Sequence, residues 1–356
     1  AVDFLDAVSV NYVRWIADGE SQYSALLDVQ GQILDDIIVY RRAWDRFLVV
    51  VNAANMEKDW AWLTAIRDGS VAIDARRPWV DLPYPVTLRD LHDANSGAQQ
   101  LVDLALQGPN SLQILLACVG DGALCSELPR LPRTQFVEGV LGGADKERPI
   151  DVLISRTGYT GEAVGFELYV HPDQAVALWR MLLDRGAPLG IVPCGLAARD
   201  STRIEAGLPL YGHELGGPLG ITQNEAGFGG YVKYHKPFFV GRAPYRAYHE
   251  QSQRRIARFQ VVERGARALR GGEHGEPVVN RRGKVVGTVT SCALVGDRQI
   301  GMVLVDDRYA EPGTELLIYP ETRRVVSKPP QEFELGDTVA LPVRAEVLTR
   351  FLTRRE

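Results

Sequence analysis

Residues 23 to 52 read YSALLDVQGQILDDIIVYRRAWDRFLVVVN. Two apolar runs within this stretch, Ile33 to Tyr40 and Phe47 to Val51, are short and rich in β-branched residues, which predicts two strands joined by the polar RRAWDR turn. The first strand carries Asp35 and Asp36 side by side among Ile and Leu. Adjacent side chains of an extended segment point to opposite faces, so only one of these aspartates can face the side that packs. A buried carboxylate needs hydrogen-bonding partners, and Asn52 and Tyr23 are the nearest polar residues in sequence able to supply them. The alternative is a pair at a sheet edge in water. Perturbed carboxylates gather at functional sites, so the pair marks the first place to look for chemistry.

Around this hairpin the chain runs to 356 residues, a length that suggests two or three domains. With 46% hydrophobic and 24% charged residues it can bury a sizeable core. The net charge of −5, with no Lys/Arg block and no RNA-binding aromatic motif, argues against nucleic acid as a partner. No apolar stretch reaches the roughly 20 residues of a membrane-spanning helix. The opening AVDFLDAVSV lacks the basic-then-apolar layout of a signal peptide, so no membrane partner and a cytoplasmic location are expected. Cys118, Cys125, Cys194 and Cys292 form no CxxC pair and have no close histidine, and the six histidines (92, 171, 213, 235, 249, 274) show no metal-ligand spacing. The expectation is therefore no metal, no disulfide framework, and cysteines that act as buried small residues.

Along the chain, AVDFLDAV reads as a helix with no capping residue before it, and GPNSLQILLACV repeats that pattern with a Gly-Pro entry and Asn110 or Ser111 as a cap. If these are two copies of one unit, the first lacks its entry, which suggests that an N-terminal segment is missing from this chain. NAANMEKDWAWLTAIRDG reads as a helix ending at Gly69, and residues 73 to 97 read as irregular. PIDVLISRTGYTGEAVGFELYV supplies a second strand, turn and strand that echo the first hairpin. HPDQAVALWRMLLDRG is an amphipathic helix with Val176, Leu178, Trp179, Met181 and Leu182 on its apolar positions, and CGLAARDSTRIEAG continues as another helix stopped by Gly207. From about Pro244 short strands separated by turns (RIARFQVV, EPVVN, KVVGTVTS, QIGMVLV, TELLIYP, DTVALPV) predict a small separate β-barrel.

Three stretches then stand in order: GQILDDIIVY with VVNAANMEKD, SRTGYTGEAVGFELYV, and CGLAARDSTRIEAGLPLYGHEL. They resemble the corresponding stretches of the aminomethyltransferase family, the T-protein of the glycine cleavage system and its folate-dependent relatives. The similarity runs on through NEAGFGGYVKYHKPFFVGR and VVGTVTS and so covers most of the chain. The resemblance implies an α+β protein: two related folate-binding α/β domains with antiparallel sheets, followed by a small C-terminal β-barrel. The expected boundaries are 1–243 for the folate-binding region (subdomains of about 1–100 and 101–243) and 244–356 for the barrel. In the family the catalytic aspartate lies sixteen residues before the asparagine of the NAAN-like segment, which selects Asp36 over Asp35. The same resemblance makes Glu167 the pterin-binding glutamate, places Tyr23 and Tyr159 around the folate, has Arg199 bind a carboxylate of folate or substrate or hold Asp36 in place, and has Asn52 support Asp36 or bind the folate directly.

What the resemblance implies in function is a tetrahydrofolate-dependent aminomethyltransferase that takes its one-carbon unit from the lipoyl arm of the glycine cleavage carrier (H) protein. Two alternatives keep the scaffold. One is a tetrahydrofolate-dependent demethylase of a small methylated compound. The other is a non-enzymatic folate-binding protein of the iron–sulfur assembly type, whose KGCYxGQ-like cysteine motif is replaced here by YVKYHKPFFVGR. The RRPWVDLPYPVTLRDLHDANSG insertion and the ending PPQEFELGDTVALPVRAEVLTRFLTRRE depart from a plain T-protein, and both are expected to reshape substrate access.

Overall fold

A computed structural model describes the chain except residues 83–85, 121, 143–147, 267, 320–329, 333, 337–340 and 353–356, and the side chain of Pro330. The chain divides into two compact units, residues 1–196 with 233–245, and residues 197–232 with 246–356.

The first unit repeats one pattern twice. Helix α1 (Val2–Val8) leads into the antiparallel strands β1 (Glu20–Leu27), β2 (Ile33–Ala43) and β3 (Arg46–Val50), then helix α2 (Met56–Arg67). After β4 (Val102–Gln107), helices α3 (Ser111–Cys118) and α4 (Leu124–Glu127) lead into β5 (Phe136–Leu141), β6 (Ile150–Ser155) and β7 (Gly165–Val170), then helix α5 (Pro172–Gly186). This second sheet has the order β4-β7-β6-β5. The copies meet where β1 and β5 begin: Phe136 N–H donates to Gly19 O at 2.9 Å and Ser21 N–H to Thr134 O at 2.6 Å.

Alternation decides what each strand buries. On β2 the odd residues Ile37 and Val39 join Phe4, Leu5, Leu63 and Ile66 in a core beneath α1 and α2. The even residue Tyr40 joins Leu48, Phe136, Leu153 and Tyr169 in a second cluster between the sheets. Residues 233–245 return onto α1, where Val240 N–H donates to Ala7 O and the buried Lys236 ammonium donates to Ser9 O and Asn11 O at 2.7 Å each. Gly241 (φ +73°) passes so close to the β1–β2 turn that a Cβ would lie 2.3 Å from Asp28 O.

The second unit holds helix α6 (Leu196–Ala206) from Ala197 onward, most of helix α7 (Arg242–Gln251), and six strands: β8 (Arg254–Val261), β9 (Pro277–Val279), β10 (Val285–Val295), β11 (Arg298–Asp306), β12 (Glu315–Ile318) and β13 (Val343–Leu348). They close into a barrel in the order β10-β11-β8-β13-β12-β9.

Several expectations change. The strand expected at DTVALPV lies partly outside the described residues, and the last strand follows it as β13, where Ala345 and Val347 point into the barrel core. Residues 343–348 of the ending are thus part of the barrel wall. In the 73–97 stretch Ile73 is buried in the first core, and Val80, Leu82, Val86 and Leu88 pack against it. Neither expected cap of α3 closes that helix: the Asn110 amide donates to Leu189 O and the Ser111 hydroxyl bonds Gly108 O. On α5 only Leu178, Met181 and Leu182 of the expected stripe are buried, while Val176 and Trp179 face outward. Cys118 is buried, but Cys125 and Cys194 are exposed, because short α4 and the 192–200 stretch present them outward. Among the described residues no helix is long and apolar enough to cross a membrane, and no cluster of His, Cys, Asp or Glu is arranged to hold a metal ion.

Candidate active site

The hairpin register assembles the first part of the site. In the β2–β3 ladder Ile38 faces Val50, so two residues further the same register sets Asn52 opposite Asp36. In the β1–β2 ladder Tyr23 faces Ile38, which makes it the diagonal neighbour of Asp36. The contacts follow. The Tyr23 hydroxyl donates to Asp36 Oδ2 at 3.0 Å, and Asn52 Nδ2 donates to Asp36 Oδ1 at 2.8 Å and to Asp35 Oδ1 at 2.9 Å. Asp35 is the fully buried member of the pair, turned toward α2, where Asn52 N–H and the Asn55 amide also donate to it. Asp36 is half-buried on the other face.

Burial pushes the Asp36 carboxyl up, and the neighbouring Asp35 charge pushes further, to about 6 despite the bonds from Tyr23 and Asn52. Desolvation penalises the charged form and a like charge does the same. The result is a carboxyl held well above the ordinary carboxylate range.

The second part lies further along β2. Tyr40 shares the Asp36 face, four residues and roughly 13 Å along the strand. Its hydroxyl lies 3.0 Å from the Tyr169 hydroxyl and donates to Glu167 Oε2 at 3.4 Å, and the Thr157 hydroxyl donates to the same oxygen. Burial and the Glu167 charge raise both phenols, so they stay protonated donors. Glu167 is half-buried at the centre of this cluster, with these hydroxyls on Oε2 and none of them on Oε1.

The structure therefore brings Tyr23, Asp36 and Asn52 into direct contact and links β2 to Glu167 through Tyr40. Tyr159 lies half-buried in the β6–β7 loop, two residues past Thr157. Arg199 lies exposed on α6 of the second unit. One turn on, Arg203 is 1% exposed and pairs with Glu214, with Asp200 at 2.8 Å and with the Ser291 hydroxyl at 2.8 Å. Asp200, next to Arg199 in sequence, is thus bonded to Arg203. Sequence reasoning missed Tyr40, Thr157, Tyr169, Asn55 and Asp59. The first three lie on the even face of β2 or beside the glutamate, and the last two lie one helical turn apart in NAANMEKD. Alternation and i, i+4 spacing could have found them. A broad cavity of about 1290 Å³ in the same unit is lined by Arg42, Phe47, Glu138, Leu153 and Tyr169 among others, and by none of the expected site residues.

A repeated helix-and-sheet half bearing ordered acids, followed by a six-stranded barrel, is the layout of a family of folate-dependent transferases. Residues 1–236 match the GCVT N-terminal domain and residues 254–330 the glycine cleavage T-protein C-terminal barrel domain, and the chain belongs to this glycine cleavage T-protein family. It is 34% identical over 330 residues to an aminomethyltransferase of Halalkalibacterium halodurans, covering 92% of this chain and 80% of that one. It is also 34% identical over 349 residues to one of Halothermothrix orenii, covering 96% and 83%. The crystal structure of the glycine cleavage system aminomethyltransferase T from Bartonella henselae superposes with a TM-score of 0.70 at 26% identity, over 98% of this chain and 80% of that one.

Proposed function

We propose that this chain is a tetrahydrofolate-dependent aminomethyltransferase that takes its one-carbon unit from the aminomethyl-lipoyl arm of a glycine cleavage carrier protein. The observation that carries the reading is Asp36, half-buried and held through both oxygens by Tyr23 and Asn52, where burial and the Asp35 charge push its carboxyl up to about 6. Bound tetrahydrofolate would supply the amine that takes up the carbon. The residues present suit it: a pterin offers paired N–H donors, and Glu167 offers a carboxylate whose Oε2 is already fixed by hydroxyls while Oε1 stands outside that cluster. Asp36 would orient the amine and stabilise positive charge developing beside it. It would also take up or return a proton at Oδ2, where the Tyr23 hydroxyl is its only hydroxyl partner among the described residues. In this reading Tyr159 lines the folate and Arg199 binds a charged group of folate or substrate.

Calorimetric titration with tetrahydrofolate, with Glu167→Ala beside it, tests the ligand. Binding in the low micromolar range or tighter, lost in the variant, supports the site, and no binding by the parent chain overturns it. The product tests the donor. Methylenetetrahydrofolate formed from aminomethyl-lipoyl carrier supports the proposal, whereas methyltetrahydrofolate formed from a small methylated compound would make the chain a demethylase.

A further inference from the structure

Behind Asp36, on the opposite face of β2, lies a second acid that the reaction above does not use. Asp59, on α2, is 1% exposed, and Asp35 is 0% exposed. The two carboxyl groups face one another. Asp35 already accepts from Asn52 N–H, Asn52 Nδ2 and Asn55 Nδ2. Neither oxygen of Asp59 meets a donor among the described residues. The charged groups facing Asp59 are Asp35, Lys58 and Asp36. The Lys58 ammonium donates to Leu34 O and Asn55 Oδ1, at the exposed side of the helix. A buried carboxylate that meets only another carboxylate would pay desolvation and repulsion together. A carboxyl that keeps its proton becomes a donor and removes both costs.

We propose that Asp59 is a neutral carboxylic acid that donates its proton in a hydrogen bond to Asp35, and that it acts through Asp35 and Asn52 as a positioning residue for Asp36. The connection is continuous. Asp59 holds the Asp35 carboxylate, and the Asn52 amide is shared between Asp35 Oδ1 and Asp36 Oδ1. The effect on Asp36 rests on the function proposed above, whereas the proton on Asp59 does not.

Difference infrared spectroscopy at pH 7 tests the proton directly. Wild type minus Asp59→Asn should show the C=O stretch of a protonated carboxyl, and the same band should appear when both chains also carry Asp36→Asn, which removes Asp36 as its source. Absence of the band overturns the proposal, and Asp59→Leu serves the same subtraction if the amide is not tolerated. Denaturant titration gives a second reading. A group neutral in the fold and ionised in the unfolded chain lowers stability as pH rises. The unfolding constant of wild type should therefore climb by up to about tenfold per pH unit against Asp59→Asn from about pH 4 toward about 8. A flat difference overturns the proposal.

The positioning role is tested by turnover. Asp59→Leu should lose about tenfold or more in kcat, with KM for tetrahydrofolate unchanged, because Asp35 and then Asn52 lose their hold. Asparagine at the same place, which can still donate, should rescue kcat to within a few fold. Equal turnover in both variants would make Asp59 simple packing and overturn the role. Loss in both folded variants would overturn it too, since a neutral donor would not suffice. A wild-type chain without turnover overturns the reading of Asp36 and the positioning role with it, and the infrared band alone then decides the proton.

Discussion

Asp36 carries two opposed demands, and both can be measured. Its environment penalises the charge that its proposed role needs, so turnover should fall as pH drops below about 6, following protonation of this one group. Asp36→Asn should abolish that limb, leave tetrahydrofolate binding largely intact, and lower kcat by about 10² or more. Stability should move the other way. A carboxyl raised from the ordinary range binds its proton more tightly in the fold, so wild type loses stability as pH rises from about 4 to about 6. At pH 7 the asparagine variant should therefore unfold at higher denaturant, by on the order of 1–3 kcal/mol. Unchanged kcat in that variant would remove Asp36 from the reaction. Which aspartate is buried was only half legible in the sequence. Alternation shows that Asp35 and Asp36 must part, but not which one meets the helix, because that depends on where α2 docks. The sixteen-residue spacing to Asn52 has a plain physical origin, since it is the hairpin register continued two residues past Ile38 and Val50.

At the scale of elements, the paired strands and the amphipathic helices were legible because period 2 and period 3.6 report burial directly. The observed β2 and β3 contain or closely match the expected runs, and α6 ends just before Gly207 as expected. Legibility failed where a neighbour decides the outcome. Asn110 has the chemistry of a cap, yet its amide is drawn to Leu189 O. The alternation of Val343–Leu348 is as regular as that of other strands, but its partners β8 and β12 lie far back in the chain, so its place in the barrel wall could not be read locally. Barrel closure is also where a single atom matters most. Gly301 on β11 is buried, and a Cβ there would lie 2.4 Å from Ser291 O and 2.5 Å from the Phe259 ring. Gly301→Ala should lower stability by about 1–3 kcal/mol or more, read as a shift of the urea midpoint by circular dichroism. A midpoint equal to that of wild type would mean that the barrel tolerates the methyl group at this layer.

Across the whole molecule, the proposed ligand should act on the unit that holds Asp36 and Glu167, and the chain carries its own reporter for that unit. All six tryptophans, at 15, 44, 60, 62, 79 and 179, lie within residues 1–196. Tryptophan emission therefore follows the first unit, while circular dichroism follows both. A ligand that binds only the folded state stabilises it by mass action, by about 2.7 kcal/mol at a hundredfold excess over Kd. For a unit of this size that amounts to a rise in Tm on the order of 5–10 °C. Tetrahydrofolate should thus raise the tryptophan-monitored Tm of wild type, and should do so in Asp36→Asn as well, since that variant keeps the binding groups. It should fail to do so in Glu167→Ala, whose own melting without ligand should differ little, because the residue is half-buried and its loss frees hydroxyls that can still bond one another. A shift that survives Glu167→Ala would move the pterin elsewhere, and a shift absent from wild type would remove folate from the account of this chain.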